Sequence, residues 1–388
     1  MSRGENAVYV SPMTDADSTK PPLRRGWTTG ACATAAARAA FVALVSGREP
    51  PDPVEIGLPG GRRVAFALAQ FTRGGDYAEA GVVKDAGDDP DVTHGALIRA
   101  KVRRAPAGAG VSFAAGPGVG VVTRPGLPLP PGEPAINPVP RAMMRQAIAE
   151  AAAELGAAPD AQIEISVENG EELARSTLNG RLGIIGGLSI LGTTGIVVPY
   201  SCSAWIDSIH RGVDVALACG LDHIAATTGS TSEDAVRKLY GLPEEALIEM
   251  GDFAGGLLKY LRRHTVPRVT LAGGFAKLTK LAQGRLDLHS SRSSVDLPDL
   301  AATARAAGAG EALCAAIEKA NSALEAQATA RGAGLDLAAP IAHRAWDTAA
   351  AALANPATAL EIIVVGRDGA ILARSGFRPA IRGEDPQK

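Results

Sequence analysis

The spacing of apolar and polar positions predicts two differently built halves. Thr28 and Thr29 precede an Ala-rich apolar run, Gly30–Val45, that stops at Gly47. A threonine that accepts the first free N–H groups and a glycine that adopts φ > 0 after the last turn are helix start and stop signals. Short, partly alternating segments follow at 53–58, 62–70, 76–84, 96–103 and 110–114, separated by Gly, Asp and Pro. Alternation puts apolar side chains on one strand face, so these read as strands, with Gly60-Gly61 as a hairpin turn. Residues 116–140 carry too much Gly and Pro for regular structure. A loop of that length in a compact unit is usually functional or disordered. A helix is predicted over 138–155, with Pro138 and Pro140 near its first turn, where a missing N–H is tolerated, and a strand over 161–167.

Beyond residue 195 the pattern changes to helices alternating with short apolar runs. Helices are predicted at 203–219, 232–240, 252–264, about 297–331 and 335–354, and strands at 222–227, 246–250, 268–273 and Glu361–Val365. Alternation of this kind implies a parallel sheet covered on both faces, and hence an α/β fold class. Polar segments at 1–22 and 379–388 read as disordered tails.

Charge and cysteine usage narrow the function. A formal net charge of -2 argues against a general nucleic-acid or membrane-surface protein. The four cysteines, Cys32, Cys202, Cys219 and Cys314, are widely spaced with no CxxC pair, so they read as buried thiols of a reducing cytoplasm rather than a zinc site or a disulfide framework. Residues 1–22 lack the apolar core of a signal peptide. The apolar stretch 182–199 is broken by Gly183, Gly186, Gly187, Gly192 and Gly195, which suits a buried turn system, not a membrane helix. The expected location is the cytoplasm, and a homodimer is compatible with the sequence.

Four segments carry candidate chemistry. Thr227-Thr228-Gly229-Ser230-Thr231-Ser232 lies between a predicted strand and a predicted helix, and Gly273-Gly274 follows another strand. Ligands of doubly wound sheets sit at such carboxyl-end turns, although the hydroxyls also suit simple helix capping and the glycines a tight turn. The acidic segment Lys84–Gly95 holds Asp85, Asp88, Asp89 and Asp91, then Thr93 and His94. It reads in three ways: a divalent-cation loop, a source of acid/base groups with His94 foremost, or a solvated loop. Gly116–Leu127 exposes backbone amides beside Arg124, whose planar fork suits carboxylates, and Arg141 and Arg145 follow at helical spacing. No Walker loop, GxSxG elbow or metal-ligand histidine spacing occurs.

Together these segments resemble the cobalt-precorrin-5B C1-methyltransferases. Arg24-Arg25-Gly26-Trp27-Thr28-Thr29-Gly30-Ala31-Cys32-Ala33 is similar to that family's opening motif, and Lys84–Gly95 to its KDxGDDPDVTHG segment. The runs Gly118–Leu127 and Gly132–Arg141 are similar to its Gly/Pro loop, and Asn179–Ile196 to its Gly-rich central motif. The matches span roughly 23–285, and the region after 290 adds little. Ala86 and Gly180 depart from the motifs at positions of low specificity.

The resemblance implies an enzyme that moves a methyl group from S-adenosylmethionine to C1 of a corrin precursor. It implies an N-terminal two-layer α+β corrinoid-binding domain, 23–195, and a C-terminal Rossmann-like domain, 196–378. For a flat ring bearing many carboxylates, the expected binding residues are Arg24, Thr28, Thr29, Lys84, Asp85, Thr93, Arg124 and Arg141. The strand-end rule puts the donor at Thr227, Thr228, Gly229, Ser230, Gly273 and Gly274, closed by Thr193 and Thr194. His94 or Asp89 is the expected base, and no metal is expected. A non-catalytic tetrapyrrole carrier, or a metal-dependent phosphotransferase or hydrolase using the acidic loop, are the competing readings.

Overall fold

The computed structural model describes residues 22–381. In its first half, β1 (Gly26–Trp27) runs into α1 (Thr29–Ser46). Thr28 caps α1 by accepting the Ala31 N–H at 3.2 Å, and Gly47 closes it in the left-handed conformation. The hairpin of β2 (Val54–Gly57) and β3 (Arg63–Phe66) turns at Gly60-Gly61 as expected. Next come β4 (Gln70–Arg73), β5 (Tyr77–Val83), β6 (Leu97–Arg104), β7 (Val111–Ala115), β8 (Gly118–Val119) and β9 (Val121–Val122). Helix α2 (Pro138–Leu155), β10 (Ala161–Val167), the short α3 (Gly170–Ala174), β11 (Ile184–Ile185), β12 (Gly187–Leu188) and β13 (Ile196–Val197) complete this half.

The sheet order is β4-β5-β6-β10-β7, antiparallel except for the β10–β7 pair. Alternation in β6 turns Ile98, Ala100 and Val102 into the core, where they meet α1. Small alanines let α1 sit close to both the sheet and α2. By length and composition α1 is apolar enough to cross a membrane, but 78% of it is buried inside the fold, as a core helix should be. The two-residue strands pin the Gly-rich segments together, β8 on β12, β9 on β11 and β1 on β13.

The second half contains α4 (Cys202–Ala218), β14 (His223–Thr227), α5 (Ser230–Tyr240), β15 (Leu247–Glu249), α6 (Ala254–Leu261), β16 (Arg268–Gly274) and α7 (Phe275–Ala282). Four more helices follow, α8 (Leu297–Ala306), α9 (Glu311–Glu318), α10 (Ala323–Gly332) and α11 (Ala338–Leu353), then β17 (Asn355–Val365), β18 (Ile371–Arg374) and β19 (Arg378–Ala380). The order is β15-β14-β16-β17-β18, with β19 also on β17. The first four strands are parallel, and β18 and β19 are antiparallel to β17. One face, with Ile224, Leu271 and Ile362, packs under α4, α6, α7 and α11. The other face, with Ala225, Ala272 and Ile363, packs under Val236 of α5. The architecture is mixed α/β, as expected.

Several expectations need correction. The segment 62–70 is not one strand, because the Leu68 N–H leaves the ladder to donate to Asp52. The helical region 297–331 is three helices. Residues 378–380 form a strand on β17 where a tail was expected to start at 379, whereas residues 1–21 and 382–388 lie outside the described residues. Cys32 and Cys314 are buried, but Cys202 is half-buried and Cys219 exposed.

Candidate functional site

The motif segments, far apart in sequence, converge on one cavity of about 500 Å³. Thr28 and Thr29 supply one wall from the start of α1, and Leu191, Gly192 and Thr193 another. These walls are stitched together: the Leu191 N–H donates to Thr29 Oγ1 at 2.9 Å, and the Gly30 N–H to the Leu191 carbonyl at 3.0 Å. Gly192 takes φ of +133°, and a Cβ there would stand 2.4 Å from Thr28 Oγ1, so only glycine allows this approach. Leu178, Leu182, Ile184 and Leu188 make an apolar wall, and the first turns of α4 contribute Asp207, Ser208 and Arg211.

The acidic loop divides its work. Lys84 and Asp91 face the cavity, with Lys84 Nζ donating to Asp91 Oδ2 at 2.6 Å. Asp91 Oδ1 accepts from the Thr93 N–H and hydroxyl. Burial pushes the Asp91 carboxyl up, but Lys84 and Thr93 outweigh it and its pKa falls below the ordinary value. The other aspartates turn away. Asp85 pairs with the Arg24 guanidinium, Asp88 accepts the Arg24 N–H, and Asp89 accepts the Tyr200 N–H at 2.8 Å. The Gly26 segment lies against this loop so closely that a Cβ at Gly26 would meet the Ala86 backbone at 2.0 Å. Among the described residues, no three His, Cys, Asp or Glu side chains group to hold a cation, so the cation-loop reading finds no ligand set.

Asp85 gives the loop a pH signature. Hydrogen bonds from Arg24 and then from the Gly87 N–H hold its pKa at about 2, against an ordinary 3.8. A lowered folded pKa means that the stabilisation is complete above 3.8 and is lost as pH falls through about 2. Both side chains are largely exposed, so the contribution is small. Urea unfolding should show a shallower loss of stability between pH 3.8 and about 2 in Asp85→Asn than in the wild type; identical slopes would contradict this.

The expected macrocycle contacts fare unevenly. Thr28, Thr29, Lys84 and Thr93 line the cavity. Arg24 and Asp85 do not, and satisfy each other. Arg124 is engaged with Glu245 at 2.7 Å, and Arg141 with Glu133 at 2.8 Å and the carbonyls of Ile136 and Pro134. Their forks hold the protein's own acceptors. His94 and Asp89 do not line the cavity either; His94 Nδ1 accepts the Ala86 N–H at 3.1 Å. Sequence reasoning missed Asn137, Asn179, Asp207 and Arg211, all of which line the cavity. Arg211 pairs with Asp207 at 3.5 Å and Asp214 at 3.0 Å, and the i,i+4 and i,i+3 spacing of these charges on a predicted helix was the available signal.

A second cavity of about 790 Å³ opens at the carboxyl ends of β14, β16 and β17. Thr228, Gly229, Ser230 and Gly274 line it, as the strand-end rule expects. Thr227 and Gly273 stay within the strands. Thr193 lines the first cavity, and Thr194 is bound up with the backbone of Ile196. The expected closing segment therefore belongs to the other cavity or to neither. Lys277, Gln327, Arg331, Arg367 and Asp368 supply the polar walls.

A family model described as CbiD matches residues 16–199, and one described as CbiD, C-terminal domain, matches 287–376. The chain belongs to the CbiD family. A relative from Bradyrhizobium sp. is 62% identical across 92% of this chain and 95% of its own length. Another, from Paramagnetospirillum magneticum, is 63% identical across 90% and 97%. Both are named cobalt-precorrin-5B C(1)-methyltransferase. A solved structure of a cobalamin biosynthesis protein (cbiD) from Archaeoglobus fulgidus is 29% identical, covering 70% of this chain and 83% of that one, with a TM-score of 0.38. The C-terminal match extends the family likeness past residue 290, where the sequence motifs contributed little.

Proposed function

We propose that this CbiD protein transfers a methyl group from S-adenosylmethionine to C1 of cobalt-precorrin-5B during cobalamin biosynthesis. The observation that carries the reading is the convergence of the family-like segments, from Thr28 to Thr193, on a single cavity. We read residues 23–195 as a two-layer α+β domain and 196–378 as a Rossmann-like domain, and place the reaction in the cytoplasm, where such precursors and the donor would meet.

The chemistry asks little covalent work of the protein. The sulfonium S–CH3 bond breaks as a C–C bond forms at the ring carbon. The ring carbon supplies the electron pair, and neutral S-adenosylhomocysteine leaves. Alignment and exclusion of water are the main requirements, and a cavity with an apolar wall suits both. Incubation with methyl-labelled S-adenosylmethionine and cobalt-precorrin-5B should give a corrinoid heavier by one methyl group. Recovery of unmodified ring from active-site-saturating donor would reject the reading.

His94 and Asp89 were the expected bases, but both stand outside the cavity walls. His94→Ala should therefore keep methyl transfer within about threefold of the wild type, since general-base loss typically costs a hundredfold or more. A hundredfold fall with a changed pH profile would restore His94 as the base.

A further inference from the structure

The two cavities differ in charge as well as size. The strand-end crevice presents Lys277, Arg331 and Arg367 against the single carboxylate of Asp368. Lys277 is paired with Asp252, but among the described residues Arg331 and Arg367 form no ion pair, and both are exposed. Asp368 is occupied by the Ala370 N–H of its own turn. The motif cavity balances its charges, Lys84 against Asp91 and Arg211 against Asp207. It also holds an uncommitted amide: Asn137 precedes α2 without making a side-chain capping bond.

We infer that the motif cavity holds the sulfonium donor, with Asn137 at the adenine edge, and that the strand-end crevice holds carboxylate arms of the macrocycle on Arg331 and Arg367. This rests on the methyl-transfer reading above and reverses the assignment expected from the strand-end rule. Three physical arguments support it. The donor carries a sulfonium and an ammonium against one carboxylate, a net positive charge that a surplus of positive charge repels, whereas a many-armed acidic ring is drawn to unpaired guanidinium forks. The smaller cavity lies within the range of small-molecule pockets, and its leucine and isoleucine wall suits a flat heterocycle. An asparagine amide offers the donor and acceptor pair that an adenine edge requires.

The placement also brings the reactants toward one another. Trp205, near the start of α4, lies against Gly251, just past the carboxyl end of β15. The cavity-lining residues Asp207, Ser208 and Arg211 are therefore near the same edge of the sheet as the crevice at β14, β16 and β17. A ring anchored by its arms in the crevice would extend along that edge toward the donor.

Equilibrium binding to the full chain tests the assignment with two probes, S-adenosylhomocysteine and the polycarboxylate tetrapyrrole uroporphyrin. Asn137→Ala should weaken S-adenosylhomocysteine by about tenfold, the loss of one or two buried hydrogen bonds, and leave uroporphyrin unchanged. The Arg331→Ala/Arg367→Ala double variant should weaken uroporphyrin by tenfold or more, with a flatter salt dependence, and leave S-adenosylhomocysteine unchanged. Both sites are peripheral to the cores, and unchanged melting temperatures would verify folding. Loss of S-adenosylhomocysteine binding in the arginine variant with none in Asn137→Ala overturns the inference while leaving the methyl-transfer reading intact. A wild-type protein that binds neither S-adenosylhomocysteine nor S-adenosylmethionine overturns both.

Discussion

Lys84→Met should lower the melting temperature by roughly 5 °C. The Lys84 side chain is only 1% exposed, and its ammonium is held by Asp91 at 2.6 Å, whose own side chain is 25% exposed. Removing one partner of such a pair leaves a carboxylate in a poorly solvated place, at a cost of about 3–5 kcal/mol. The Asp91 pKa, now below its ordinary value because Lys84 and Thr93 outweigh burial, should rise. A hydrophobic side chain of similar volume keeps the packing, so the loss reports charge rather than a cavity. Adding Asp91→Asn to Lys84→Met should recover part of the loss, since no ionised carboxylate is then stranded. Thermal unfolding of the two single variants and the double variant checks this. Additive effects across that cycle would mean that the two side chains are not energetically coupled.

Arg181→Ala should produce the second large effect, because it breaks a largely buried ion pair that joins the two halves of the chain. Arg181 follows Asn179 in the segment that walls the motif cavity, and its guanidinium takes both carboxylate oxygens of Glu233, at 2.7 and 2.8 Å. Glu233 is 8% exposed and sits on α5, whose first residues, Ser230 to Ser232, line the strand-end crevice. One bidentate pair thus ties a wall of each cavity to the other. With Arg181 gone, Glu233 keeps only Arg237 at 3.1 Å. The expected cost is about 3 kcal/mol, together with separation of a single calorimetric transition into two as the halves uncouple. Arg124→Ala, which loses the more exposed pair with Glu245, should cost about 1 kcal/mol. Equal effects from the two variants would show that burial and bidentate geometry are not what make Arg181 matter.

The sequence was most informative where structure is local. Thr28 and Gly47 bound α1 because capping involves neighbouring residues, and the parallel sheet follows from the alternation of helices and short apolar runs. Strand β19 was hidden because it is short, contains Pro379 and exists only by pairing with β17. Gly308 and Gly310, which separate α8 from α9, were visible breakers that the apolar periodicity on either side obscured.

Among site residues the same distinction holds. Thr28, Lys84 and Thr93 were legible because their motifs wall a cavity. Arg124 and Arg141 were legible as carboxylate binders, but composition cannot say that the carboxylates would be Glu245 and Glu133 of the same chain. Charge balance in a cavity is a tertiary property. The contrast between the paired ions around Asp91 and Arg331 and Arg367, which form no ion pair among the described residues, emerges only once the chain is folded.

The most direct test of the proposed chemistry is the position of the new carbon. With S-adenosylmethionine carrying a 13C methyl group and cobalt-precorrin-5B as acceptor, the product's carbon NMR spectrum should show a single enriched methyl resonance coupled to ring carbon C1. Enrichment at another ring position, or full-strength label remaining on the donor after incubation with folded protein, would contradict the account.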